Sequence, residues 1–486
     1  MFDYRASITR KLTAIGPKYL PFADVATKDV PLTRLLRLSL FQITVGMALV
    51  LMVGTLNRVM IVELSVPASL VAGMLALPLL FAPFRTLIGF KSDRHVSALG
   101  LRRVPYIWKG TLYQFGGFAI MPFALLVLSG YGESYDAPLW LGYGSAGLSF
   151  LLVGAGVHMV QTVGLALATD LVAEEDQPKV VGLMYVMLLF GMVFSALVFG
   201  ALLENYTPGR LIQVIQGAAV VTVGLNMLAM WQQEARDRGR ARAMKEMQPM
   251  QFSEAWTSLI RRPGMLRLLV VIGLGTFGFG MADVLLEPYG GQVLGLSVGS
   301  TTKLTALFAL GTLIGFGLAS RVLGHGGSPT RYTLIGAAIG IPGFAAIILS
   351  SMSVGVPLFL FGTFAIGAGT GLFGHATLTA TIRAAPSNQI GLALGAWGAV
   401  QATAAGIGVA LAGIVRDLIV GLQHLTGSTA ETPYNVVFVL EIGFLVLALL
   451  VTWPILNGRR TARVPSETDT YRMDSAEPHS KPMEVS

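Results

Sequence analysis

The chain has 486 residues, 53% of them hydrophobic and 12% charged, with no cysteine and a net charge of +8 from 34 Lys and Arg against 26 Asp and Glu. A soluble domain carries about 25% charged residues, so this chain cannot cover a water-facing globule and reads as a polytopic helical membrane protein. Missing cysteine excludes disulfides, thiolate metal sites and cysteine nucleophiles. The positive balance reads as topology rather than nucleic-acid binding.

Residues 1–37 form a basic lead with Arg5, Arg10, Lys11, Lys18, Lys28, Arg34 and Arg37. It has no short apolar core with a small-residue cleavage site, so no signal peptide is expected. A membrane span needs about 20 apolar residues. Twelve stretches qualify: 38–62, 68–90, 106–129, 139–168, 180–203, 211–231, 266–287, 301–324, 331–351, 355–378, 390–415 and 435–456. With the N-terminus inside, 29 of the 34 Lys and Arg fall in the lead, the inner loops and their edges, and the tail. That asymmetry predicts both termini in the cytoplasm. A basic linker, 232–265, divides a six-span half (38–231) from a second (266–456), and the polar tail 457–486 reads as disordered.

The halves repeat. Thr86–Phe90 reads TLIGF and so does Thr312–Phe316; at an offset of 213, Gly154, Gly182 and Gly200 correspond to Gly367, Gly395 and Gly413. Two six-helix halves with an internal repeat are the pattern of the major facilitator fold. The segment after the second span, with Gly89, Asp93, Arg94, Arg102 and Arg103, resembles the loop that major facilitator proteins carry there, with extra residues before the Arg pair. In that family such charges pair at helix ends and bias a gate. The plainer reading is a positive-inside anchor.

Ionisable side chains within spans are costly and mark function. At 1.5 Å per residue, Arg58 lies ~31 Å from Arg37, at the outer interface, with Asn57 beside it and Glu63 beyond. Arg85, ~9 Å from Lys91, can snorkel inward. Asp170 ends a long span at the cytoplasmic edge. Asn57, Arg58, Glu63, Arg85, Asp93, Arg94 and Asp170 are therefore the candidate gate or structural charges. Asp283 and Glu287, ~24 and ~30 Å from Arg267, fall near the outer face. No charge is then expected at the midplane, which weighs against a proton-coupled transporter.

Two histidines, His158 and His375, lie inside spans, in corresponding helices of the two halves. Gln161 follows His158 by about one turn. Gly154 and Gly371, four residues before each histidine, would clear room beside the ring. Neutral imidazole suits the metal at the centre of a macrocycle; the plainer reading is a packed histidine bonded to a neighbour. Pairs such as Gly191/Ser195, Gly311/Gly315, Gly336/Gly340 and Gly367/Gly371 read as helix packing.

The stretches GTLNRVMIVELSVPASLVAGMLALPLLFAPFRTLIGFKSDRH and ALATDLVAEEDQPKVVGLMYVMLLFGM resemble the PucC/LhaA family, the bacteriochlorophyll-delivery branch of the major facilitator fold. The resemblance covers about 35–456. It implies an assembly factor for photosynthetic light-harvesting complexes, not an enzyme, in the inner or intracytoplasmic membrane of a phototrophic bacterium. The implied cargo is bacteriochlorophyll, its magnesium held by His158 or His375 with Gln161 near. Implied partners are antenna polypeptides, the reaction centre–LH1 complex, pigment-synthesis enzymes and membrane lipid. The basic lead leans toward the LhaA-like branch and core LH1 rather than peripheral LH2. Two alternatives stand beside it: a secondary transporter of a small solute or lipid, and a pigment-free scaffold for antenna helices.

Overall fold

A computed structural model describes residues 30–80, 88, 91–92, 101–130, 134, 136–173, 176–234, 257, 259–385, 390–427 and 429–461. Every extended element among these is a helix. We number them α1 (Leu32–Glu63), α2 (Ala68–Leu80), α3 (Val104–Ser129), α4 (Leu139–Asp170), α5 (Gln177–Leu202), α6 (Pro208–Met230), α7 (Met265–Gln292), α8 (Val298–Gly324), α9 (Pro329–Leu349), α10 (Val356–Ala384), α11 (Ile390–Thr426) and α12 (Thr432–Thr461). Eleven are long and apolar enough to cross a membrane; α2 covers the described part of the predicted span 68–90. Successive helices run in opposite directions. The face holding Leu32 and Thr461 is called here the near face, and that holding Glu63 and Thr432 the far face.

Several helices outrun their predicted spans. The predicted span 390–415 is a helix to Thr426, 355–378 runs to Ala384, and 266–287 runs to Gln292. Apolar run length underestimates a helix whose ends leave the hydrocarbon, because polar ends remain helical in water. Several breaks in regularity were not predicted. α1 widens into π-type turns over Val50–Leu56 and Val59–Glu63, and α7 is interrupted at Met281, between Gly280 and Ala282.

Lipid is as apolar as the side chains, so small residues that let backbones approach hold such bundles together. A Cβ at Gly315 would lie 2.1 Å from the Ala368 carbonyl oxygen, at Gly311 2.4 Å from that of Phe364, and at Gly336 3.0 Å from that of Gly369. These glycines lock α10 between α8 and α9. Gly154 packs likewise on Pro78 of α2, and Gly371 on the Thr312 carbonyl of α8. The space before each histidine is thus filled by a neighbouring helix, and does not open beside the ring as the spacing suggests.

The two halves, α1–α6 and α7–α12, meet chiefly where α5 packs on α8 and α2 on α11. Gly200 of α5 sits 2.9 Å (Cβ position) from the Gly299 carbonyl oxygen; Gly413 of α11 sits 2.6 Å from that of Ala68. These glycines are 213 residues apart, so the repeat offset places them at equivalent contacts across the seam.

Candidate functional site at the seam

The wide turns of α1 direct a run of polar side chains at α7 and α8. Thr55 and Thr302 hydroxyls are 3.2 Å apart. Asn57 Nδ2 donates to the Val284 carbonyl at 2.9 Å, just past the break in α7, where a turn has lost its regular partners. Arg58, 4% exposed, pairs through Nη1 with Glu63 and donates through Nη2 to the Leu296 carbonyl at 3.1 Å. It lies flat on Gly291, whose Cβ position is 3.0 Å from Nη2. One turn earlier on α7, Glu287 Oε1 accepts from the Thr305 hydroxyl. Glu287 reaches across to α1: a Cβ at Gly54 would be 2.5 Å from Oε1 and 2.8 Å from Thr305 Oγ1.

Further contacts close the far face. Asp417 of α11 accepts from the Ser69 amide at 2.7 Å and the Ala68 amide at 3.3 Å, capping the N-terminus of α2 from the other half. Arg416 pairs with Asp417 at 2.8 Å and donates to Gln292 at 2.9 Å. Lys303 reaches Glu204 at 2.6 Å. Tyr206, in the far-face turn beside Glu63, has its phenol pushed up to about 12, first by burial and then by the Glu63 carboxylate, with Arg58 opposing.

The near-face cluster belongs to the first half. Arg103 Nε and Arg102 Nη2 meet Asp170 at 3.1 and 3.4 Å, and Arg103 Nη1 donates to Ser92 at 2.8 Å. Glu234 accepts from the backbone amides of Arg102, Arg103 and Val104 at 2.8–3.0 Å, capping α3. Asp170 therefore stands at the helix end, paired with Arg102 and Arg103. Arg85, Asp93 and Arg94 lie outside the described residues.

One expectation is overturned. Glu441, absent from the sequence argument, lies nine residues into α12, ~14 Å below its far end. It is fully buried, and neither carboxyl oxygen has a hydrogen-bond partner among the described residues. Half-buried Asp283 of α7 is close enough to interact with it electrostatically, at the same ~14 Å from the end of its own helix. Carboxyl groups therefore do stand deep in the bundle. Asp283 read as outer only because its depth was measured from one end of an uninterrupted helix.

The histidines lie on different halves. His158 and Gln161 are half-buried on α4. His375, half-buried on α10, packs its ring 4.3 Å from that of Phe316, which is 6.2 Å from Tyr185 of α5 across the seam. His375 Nδ1 is buried without a hydrogen-bond partner among the described residues.

Two six-helix halves related by a repeat, joined along α5–α8 and α2–α11, define a membrane protein of the major facilitator fold. A solved structure of the same architecture, a bacterial homolog of the human lysosomal transporter Spinster, matches with a TM-score of 0.62 at 15% identity over 86% of this chain and 95% of its own. Residues 55–460 match the family model described as PUCC protein, and the chain belongs to that family. It is 71% identical to Protein PucC of Rhodobacter capsulatus over 456 residues, covering 93% of this chain and 99% of the relative. It is 59% identical to Protein PucC of Cereibacter sphaeroides, covering 94% and 99%.

Proposed function

We propose that the chain hands bacteriochlorophyll to light-harvesting antenna polypeptides as these insert, and that His375 would hold the pigment's magnesium. The observation that carries this is the His375 ring: half-buried in the bundle, one nitrogen without a partner among the described residues, and tilted against the Phe316 ring at the flank of the seam. A neutral imidazole beside an apolar aromatic wall suits a magnesium macrocycle, and the glycines around it belong to helix contacts. His158 with Gln161 is the second candidate. When bound, the pigment would bring a magnesium able to accept an imidazole nitrogen, and the chain would supply that ligand and an apolar wall. The reaction centre–LH1 complex and pigment-synthesis enzymes are the further partners proposed. The preference for LH1 over LH2 rests on the basic lead alone, and the identities to PucC proteins add nothing to it.

The test is purification from a phototrophic host in mild detergent, with the near-infrared spectrum and the co-eluting chains recorded. Pigment bound with an antenna polypeptide, and lost in His375→Ala while the chain stays monodisperse, is the expected result. Pigment retained by both His375→Ala and His158→Ala refutes the ligand assignment. An antenna chain without pigment refutes delivery in favour of a scaffold. The buried acids Glu287 and Glu441, with half-buried Asp283, favour a second reading, gradient-driven transport, which vesicle uptake would reveal.

A further inference from the structure

We propose that Glu287 is a proton-binding site on the seam, and that the bound proton permits the halves to close at the far face. This stands apart from what the chain carries. Glu287 is 4% exposed, and its environment comes from both halves. Oε1 is held by Thr305, and Oε2 is buried without a hydrogen-bond partner among the described residues. Gly54 of the opposite half presses on the carboxyl group, so water is kept out only while the halves are together.

A bare carboxylate in that position needs a cation, because burying an unpaired charge costs several kcal/mol. The charged and titratable groups facing it give it no ion pair among the described residues. From α1, Arg58 acts on it through space only, its Nη1 and Nη2 being held by Glu63 and the Leu296 carbonyl. From α8, Lys303 is held by Glu204. From α11, Arg416 is held by Asp417 and Gln292. α12 offers Tyr434 and Glu441, and α7 itself Asp283 and Tyr289, none a cation; Arg267 lies at the other end of α7. Described residues of α2 carry no charge. The closed seam therefore accommodates Glu287 as the neutral acid.

When the halves part, Gly54 withdraws, the carboxyl group meets water, and its proton leaves to solvent. Arg58, one turn along α7 at Gly291, is then free to exchange Glu63 for Glu287. The closed state holds one more proton than the open state, so lowering pH favours closure. One proton changes the closed-to-open ratio by up to about tenfold per pH unit.

The chain has no cysteine, so Asn205→Cys and Met352→Cys place two unique spin labels on exposed far-face sites, one on each half. Pulsed electron resonance on the full chain in nanodiscs, between about pH 5 and about pH 8.5, reads the label separation. The short separation is expected to dominate at low pH and to lose population as pH rises. Glu287→Gln should keep the short separation throughout, Glu287→Asp should keep a pH response with a moved midpoint, and Glu441→Gln should respond like the parent. A parent insensitive to pH overturns the proposal. So does a Glu287→Gln variant with the parent's response, or a response lost in Glu441→Gln.

Discussion

Gly54→Ala puts the smallest possible side chain where the halves are tightest. Its Cβ would stand 2.5 Å from Glu287 Oε1 and 2.8 Å from Thr305 Oγ1, both shorter than any relaxed contact. The carboxyl group can move aside only by giving up the Thr305 bond, which costs about 1 kcal/mol. If neighbouring backbone must shift as well, the cost reaches that of ordinary overpacking, about 1–3 kcal/mol. The strain falls on contacts between halves and leaves each half's own packing intact. It therefore acts on the closed-to-open ratio, lowering it by roughly 5- to 150-fold. The spin-labelled pair at Asn205 and Met352 measures that ratio at low pH, where the parent is closed. Thr305→Ala in the same chain removes one of the two clashes and should restore part of the closed population, a coupling that additive effects would not show. An unchanged closed fraction in Gly54→Ala would refute the reasoning. So would a thermal midpoint that falls with no change in label separation, because the strain would then lie within a half.

Three further expectations can be checked separately. Asp417→Ala removes the cap on the Ser69 and Ala68 amides and should cost about 1 kcal/mol, read as a lower melting temperature in detergent. Glu234→Ala frees the amides of Arg102, Arg103 and Val104, so hydrogen exchange should quicken in the first turn of α3 and not in α9. With Tyr206 pushed up to about 12, the folded chain between about pH 10 and 12 keeps a phenol proton that the unfolded chain has lost. Its contribution to stability is complete below pH 10 and disappears as pH rises through 12. Tyr206→Phe should remove that part of the slope, and an unaltered alkaline melting profile would contradict it.

Hydropathy was enough to find the spans, and the offset of 213 was enough to pair the halves, because lipid demands long apolar helices and duplicated helices keep duplicated contacts. Arg58 and Glu63 pair at the far end of α1, and Asp170 stands at the last residue of α4. What counting misses is anything a second helix decides. Gly154 and Gly371 look like space beside a histidine, yet Pro78 and the Thr312 carbonyl fill it. The cap on α2 comes from Asp417, nearly 350 residues away. The break at Met281 has no proline in it and is answered in part by Asn57 from another half. Glu441 had a visible signal, a lone acid in the run VVFVLEIGFLVLALLV.

The placement of Gly200 and Gly413 carries a historical meaning. Each touches backbone of the opposite half, and the repeat carries one onto the other. A surface that meets its own counterpart in this way is isologous, the geometry of a two-fold homodimer. The seam thus has the form of an ancestral subunit interface, later enclosed in one polypeptide by fusion. Once the copies were joined they could diverge. Arg58 and Glu63 now stand in the first half and Glu287 in the second, an inequality between partners that two identical subunits could not have sustained.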